Sequence, residues 1–459
     1  MIVFMKVLLV QPNSATMRGI LTPPLALLFI GEMAARAGHE VKIVDRNIDY
    51  LTKNLLKKFK PDVVGVSVFT GPLIKDAVAV SKFVRKEFST KTKIVWGGIH
   101  PSLLPEQTVS NDFVDVVVVG EGEITFTELL DAFEKQKPLS DIEGIYYKEN
   151  NKIKKTQSRE FADLDKLPFI NWNLINAKRY LDLEIVMVTS RGCPYNCYFC
   201  YNQEFNKRRW RAQSAQRVLE EIKQVERITD NRNLKFHDDN FTVDRNRAIR
   251  ILNGLSHNYS LYIETRPEHV GTDLLEALKK FRKVWLFIGA ESGSEDLLKS
   301  MNKMLTKDII REAFRLVRSY KNIFTTASVI LGLPDETYED ALQTISFAKS
   351  LKPTWVTYCI YTPYPGTYYY NDLVKRGLLK EPAMTSDWSY YTPDIRKLNS
   401  EFSYYPGMQI RELKKIDFYS WVKVIFNIIL KGDIHKAYRF FKDKLMRMPL
   451  YFFRVLTLD

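Results

Sequence analysis

The sequence predicts an α/β protein with two consecutive sheet domains. A doubly wound, Rossmann-like parallel sheet comes first, a (βα)6 partial TIM barrel follows, and a helical C-terminal segment closes the chain. Three observations predict this. Short runs rich in valine and isoleucine alternate with longer helical stretches from residue 5 to about residue 385. Those runs end in glycine-rich or polar clusters, where open parallel sheets bind ligands. A polar break near residue 150 divides the alternation into two series.

Taken in order, residues 7–10, 41–44, 63–68, 93–96 and 116–119 read as the five strands of the first sheet. A helical stretch over 24–37, closed by Gly38, is the first of the helices between them. Glu149-Asn150-Asn151-Lys152 reads as a polar connector, and Asp163-Leu164-Asp165-Lys166-Leu167-Pro168 leads into the second series. There, strands are expected at 184–189, 234–238, 261–265, 284–290, 325–332 and 354–361, each but the last followed by a helix. The resulting boundaries are 1–140 for the first domain, 141–180 for a linker, 181–385 for the barrel and 386–459 for the C-terminal segment.

A chain of 459 residues with 45% hydrophobic and 27% charged residues is large enough for two or three packed cores and is not a disordered composition. Four cysteines, three of them within eight residues, argue against a disulfide scaffold and for a reducing, cytoplasmic setting. Residues 1–10 read as a buried strand and lack the basic leader of a signal peptide. No run of about 18 uncharged apolar residues marks a membrane span. A net charge of +14 decides nothing by itself, and no nucleic-acid-binding module accompanies it.

Cys193, Cys197 and Cys200 carry the chemistry. Three thiolates on one loop can hold three corners of an iron–sulfur cube and leave the fourth iron without a protein ligand. The alternatives are a three-ligand zinc site or three unconnected cysteines, but zinc sites usually draw on a second pair, which this chain lacks. Polar residues also gather at the other barrel strand ends: His237 to Phe241, Glu264 to Pro267, Gly289 to Gly293, Leu331 to Glu336 and Pro363 to Thr367. An Asp-Asp pair such as Asp238–Asp239 is by itself more often a helix cap or a metal-independent turn. Arg266 either pairs with a carboxylate or braces Glu291. Cys359 reads as a small packed hydrophobe, with a chamber-facing thiol as the alternative. Tyr364, Tyr368, Tyr369 and Tyr370 read as core or as a cavity wall.

The stretch Thr189-Ser190-Arg191-Gly192-Cys193-Pro194-Tyr195-Asn196-Cys197-Tyr198-Phe199-Cys200 resembles the signature of the radical S-adenosylmethionine superfamily, and the resemblance covers roughly residues 160 to 385. It implies a [4Fe-4S] cluster on the three cysteines, Phe199 against the adenine of S-adenosylmethionine, Glu291 and Ser292 near its ribose, and Asp238 and Asp239 near its amino acid end. Upstream, Thr22-Pro23-Pro24, Gly38-His39, Gly97-Gly98-Ile99-His100 and Gly120-Glu121-Gly122-Glu123 look like the cobalamin-binding domain of the class B branch. That resemblance implies cobalamin at Asn13, Pro23, Ser67, Thr70, Gly71, Gly97, Gly98, Gly120, Glu121 and Gly122. The D-x-H-x-x-G motif that supplies a lower-face histidine is absent. His39 reads as a surface turn residue and His100 as part of a strand-end loop.

The family resemblance implies methylation of an unactivated carbon, or of phosphorus, through a 5′-deoxyadenosyl radical and methylcobalamin, with a flavodoxin or ferredoxin as electron donor. A non-methylating cyclisation, rearrangement or oxidation is the second reading and a cobalamin or redox sensor the third. Candidate substrates are a small molecule, a lipid or a peptide. Residues 411–447 interleave basic residues with Phe418, Trp421, Val424 and Ile428, which suits a helical cap or contact with a membrane surface.

Overall fold

The structure, a computed structural model, describes residues 5–13, 21–71, 73–88 and 91–379. The expected C-terminal helices lie outside the described residues.

The first sheet has seven strands: β1 Lys6–Gln11, β2 Glu40–Asp45, β3 Val63–Ser67, β4 Lys93–Gly97, β5 Val116–Val118, β6 Ile145–Glu149 and β7 Lys152–Lys155, in the order β2-β1-β3-β4-β5-β6-β7. The first five run parallel, and the last two turn back antiparallel. Side-chain alternation along β1 feeds two cores. Val7 and Leu9 join one with Leu28 and Phe126, whereas Leu8 and Val10 join another with Ile74, Val80 and Trp96. Helices Leu25–Arg36 and Glu123–Lys135 therefore cover one face, and Lys53–Phe59 and Leu73–Glu87 the other.

One expectation for the connections needs correction. Glu149-Asn150-Asn151-Lys152 is not a connector but the tight turn of the β6–β7 hairpin, with Asn150 and Asn151 at φ of 51° and 58°. Asparagine tolerates that left-handed backbone, so a polar break can be a hairpin that lengthens the sheet. The stretch toward residue 180, expected as a linker, is packed against both domains' core. Leu164, Leu167, Ile170 and Trp172 are buried, and the Tyr180 hydroxyl donates to Asp45 at 2.9 Å.

The second sheet is wholly parallel, in the order β15-β14-β13-β12-β11-β8, from β8 Ile185–Met187, β11 Asn233–Phe236, β12 Ser260–Thr265, β13 Lys283–Glu291, β14 Ile323–Leu331 and β15 Trp355–Ile360. A short antiparallel pair, β9 Ser190–Arg191 and β10 Arg211–Ala212, stands beside β8. Ser214, Asp244, Ser294, Thr306 and Thr337 each cap a helix by accepting a backbone N–H, a contact worth about 1 kcal/mol. The last strand is also followed by a helix, Tyr368–Lys375, contrary to expectation. Thr367 caps it and Tyr369, Tyr370 and Leu373 are buried, so packing overrides the strand preference of three tyrosines. One core runs from the first sheet into the barrel, joining Leu9, Leu27, Trp172, Ile185 and Phe236.

Candidate active site

The cysteine loop is held by the end of the neighbouring barrel strand. Asp238, just past β11, is buried and accepts from the Thr189 amide at 2.6 Å, the Thr189 hydroxyl at 2.7 Å and the Ser190 hydroxyl at 2.7 Å. Asp239 accepts from the Gly192 amide at 2.9 Å, the Asn202 side-chain amide at 2.9 Å and the Tyr201 hydroxyl at 3.1 Å. Both carboxylates, expected beside a ligand's amino acid end, are thus engaged in shaping the loop that carries the thiols. Gly192 sits at φ +83°, and a Cβ there would overlap the Arg209 carbonyl oxygen, so only glycine lets the chain enter the loop.

Inside the loop, the Cys197 carbonyl accepts from the Cys200 backbone amide at 3.0 Å and the Gln203 side-chain amide at 2.7 Å. Tyr198 donates its amide to the Met301 carbonyl at 3.0 Å, and its ring stacks on Tyr368 with centroids 4.0 Å apart. Phe199 is half-buried and packs against the barrel core. Cys197 is buried and the other two thiols are intermediate. Burial pushes the Cys200 thiol up to about 12 and also raises Cys193, so metal ligation has to drive off the protons.

Across the barrel mouth, the register breaks between Gly289 and Glu291, and Glu291 takes a φ of +61°. Such a bulge re-aims a side chain. Glu291 pairs with Lys303 at 2.7 Å. Ser292 is fully buried and bonded to Thr344 at 3.1 Å and to the Ser294 amide at 3.1 Å. Arg266 pairs with Glu268 at 2.5 Å and reaches Glu291 only through Lys303, whose carbonyl it holds at 2.6 Å. Cys359 is exposed rather than packed, 4.0 Å from the Ser328 hydroxyl and near enough to Glu291 to feel its charge.

The strand ends of the first sheet face this loop. Phe69, just after β3, meets the edges of Tyr201 at 5.8 Å and Tyr364 at 6.3 Å. Arg191, two residues before Cys193, pairs with Glu121 at 2.9 Å and with Glu123 at 2.6 Å, and Arg211 pairs with Glu121 at 2.7 Å. Burial acts to raise the Glu121 carboxyl, but the two arginines outweigh it and hold Glu121 below its usual range.

Comparison with known proteins agrees with this two-faced arrangement. Residues 15–130 match the family described as B12 binding domain and residues 187–348 the Radical SAM superfamily. The chain is 33% identical to an uncharacterised methyltransferase of Pyrococcus horikoshii, covering 93% of this chain and 95% of that one. It is 28% identical to an anaerobic magnesium-protoporphyrin IX monomethyl ester cyclase of Cereibacter sphaeroides, covering 80% of this chain and 64% of the other. The fold matches the radical S-adenosylmethionine methyltransferase TsrM of Kitasatospora setae with a TM-score of 0.70 at 18% identity, covering 82% and 77%. The chain belongs to the cobalamin-binding radical S-adenosylmethionine enzymes.

The residues present suit that family's cofactors. Three thiols on one loop match a cluster with an open iron. Among the described residues no three His, Cys, Asp or Glu side chains converge on a single metal ion, and a cube seats its thiolates on separate irons. Gly71 and Gly120, at φ +124° and +78°, have open space where a Cβ would stand, a strand-end edge that a large ring can approach. Gly97 and Gly98 are half-buried there too, whereas Pro23 is buried, and Gly122 lies against Ile30. Ser67 ends β3. Three cobalamin candidates are tied to protein instead: Asn13 to Arg46 at 3.0 Å, Thr70 to His100 at 3.3 Å and Glu121 to the arginines.

His39 is buried, accepting from the Met5 amide at 3.3 Å, and is no surface turn residue. His100 is fully buried in the first turn after Gly98 and faces Thr70. Sequence reasoning missed Phe69, Arg191, Arg211 and Lys303 as site residues. Arg191 had a signal, since it adjoins the Gly-Cys of the signature, but its partners stand 70 and 68 positions away.

Two expectations follow. Gly192→Ala and Asp238→Ala, which leave every thiol in place, should lower iron bound per chain and visible absorbance after anaerobic reconstitution by more than half; full loading would contradict the assigned loop support. Burial pushes His100 down to about 3, so its imidazole stays neutral in the fold while the unfolded chain takes a proton below pH 6.5. The stability linked to His100 is complete above pH 6.5 and declines as the pH falls toward 3. Its imidazole NMR signals should stay fixed from pH 8 to 5, and titration near 6.5 would refute the burial argument.

Proposed function

We propose that the protein methylates an unactivated carbon of a flat, largely apolar small molecule, using S-adenosylmethionine, an iron–sulfur cluster and cobalamin. The observation that carries this reading is the contact of Phe69, at the strand-end face of the first sheet, with Tyr201, the residue after Cys200. When bound, the cluster supplies the electron that cleaves S-adenosylmethionine, and cobalamin carries the methyl group.

The chain's own residues do the placing. Asp238 and Asp239 fix the cysteine loop, and Arg191 joins that loop to the glycine-rich turn around Glu121. Phe69, Tyr201 and Tyr364 offer aromatic walls between the two faces, with Tyr201 and Tyr364 centroids 6.0 Å apart. A flat substrate suits such walls, and TsrM is known with tryptophan while the cyclase is named for a porphyrin ester. Glu291 and Lys303 present a fixed, buried ion pair to the barrel mouth, where the ribose of S-adenosylmethionine is assigned. A flavodoxin or ferredoxin is the assigned electron donor.

The cyclase relative favours a second reading, a radical reaction without methyl transfer. Reconstituted protein incubated anaerobically with cobalamin, reductant and S-adenosylmethionine separates them by mass spectrometry. Methyl transfer predicts both 5′-deoxyadenosine and S-adenosylhomocysteine. 5′-Deoxyadenosine alone points to the second reading, and neither product contradicts both.

A further inference from the structure

We propose that Arg266 raises the reduction potential of the cluster held by Cys193, Cys197 and Cys200, an inference that rests on that cluster assignment. Arg266 follows β12 directly and is 5% exposed. One guanidinium nitrogen, Nη1, donates to the Cys197 sulfur at 3.5 Å. The other contacts hold it there. Nε donates to Glu268 at 2.5 Å, Nη2 donates to the Lys303 carbonyl at 2.6 Å, and the guanidinium lies 3.7 Å over the Tyr195 ring.

The planar fork makes this possible, because arginine can serve three partners in one plane and still stack on an aromatic face. The Tyr195 hydroxyl is itself tied to His269 at 2.7 Å, so the ring beneath the guanidinium is fixed. Held on both edges and from one face, the cation stands against the Cys197 sulfur.

Cluster potentials follow net charge and hydrogen bonds to the sulfurs. A reduced cluster carries one more negative charge than the oxidised one. A fixed cation donating to Cys197 stabilises the reduced form more, and the effect is strong where water is excluded. Glu268 works against it as the paired anion. The two residues thus have opposite predicted signs, which a purely structural role would not give. Arg266 acts through Cys197, so it is a positioning and tuning residue and not a catalytic one.

The test is an anaerobic redox titration of reconstituted full-length protein, read by the EPR signal of the reduced cluster and needing no substrate. Arg266→Met should lower the midpoint so that reduced clusters fall about tenfold at a fixed potential, equivalent to about 59 mV for a one-electron couple. Arg266→Lys should fall between that variant and wild type. Glu268→Gln should move the midpoint the other way. If Arg266→Met binds no cluster, the direction of Glu268→Gln decides alone. Loaded variants that titrate with the wild-type midpoint, or shift in the same direction, overturn the tuning role. Wild-type protein that takes up no iron–sulfur cluster overturns the underlying assignment, and the proposal with it.

Discussion

The site depends on four largely desolvated charges between the two sheets, of which Glu123 is buried and Arg191, Arg211 and Glu121 are half-buried. Arg191 and Arg211 lie opposite each other on β9 and β10, and both reach Glu121, while Glu123 completes Arg191. Removing Arg191 would leave the buried Glu123 without its cation, the costly half of breaking such a pair. Hydrophobic contact joins the sheets as well, through Trp172 and its neighbours, but apolar packing is non-directional. Arg211 holds both Glu121 oxygens, at 3.0 and 2.7 Å, while Arg191 bridges Glu121 and Glu123, and such directed contacts fix an orientation. Through it the turn at Glu121 keeps one position relative to Cys193.

A second layer of polar contacts acts inside the barrel. The Asp238 and Asp239 carboxylates do not stand free at the strand end; they hold Thr189, Ser190 and Gly192. Backbone that must carry three thiols cannot also be a regular strand or helix, so its amides need partners from outside the loop. Asp238 and Asp239 supply them from the next strand. The loop's far side rests on Met301 and Asn302, the latter donating to the Asn196 carbonyl at 2.8 Å. The cysteine loop, the aromatic walls and the proposed S-adenosylmethionine site therefore share one hydrogen-bonded frame.

The parallel strands of both sheets were legible in the sequence because buried parallel strands are short valine and isoleucine runs bounded by glycine. The cysteine loop was legible because three thiols at that spacing have few other uses. The hairpin at Asn150 was misread, since polarity alone does not separate a turn within a sheet from a link between domains. The helix Tyr368–Lys375 was missed because tyrosine leans toward strands, although Thr367 just before it is a helix-start signal. Partners were the least legible part. Position along a strand told that Asp238 and Glu121 sit at ligand-bearing ends, but not that Thr189 and Arg191 already engage them. Pairings across 49 and 70 positions have no local signal.

The central claim is that the cobalamin face and the cysteine loop are held opposite each other by the Arg191 ion pairs. Pulsed EPR between Co(II) and the reduced cluster, in protein carrying both, measures it directly. The account predicts a clear dipolar coupling with a narrow distance distribution in the wild type and a broader one in Arg191→Met. No coupling in the wild type, or an unchanged width in the variant, would contradict it.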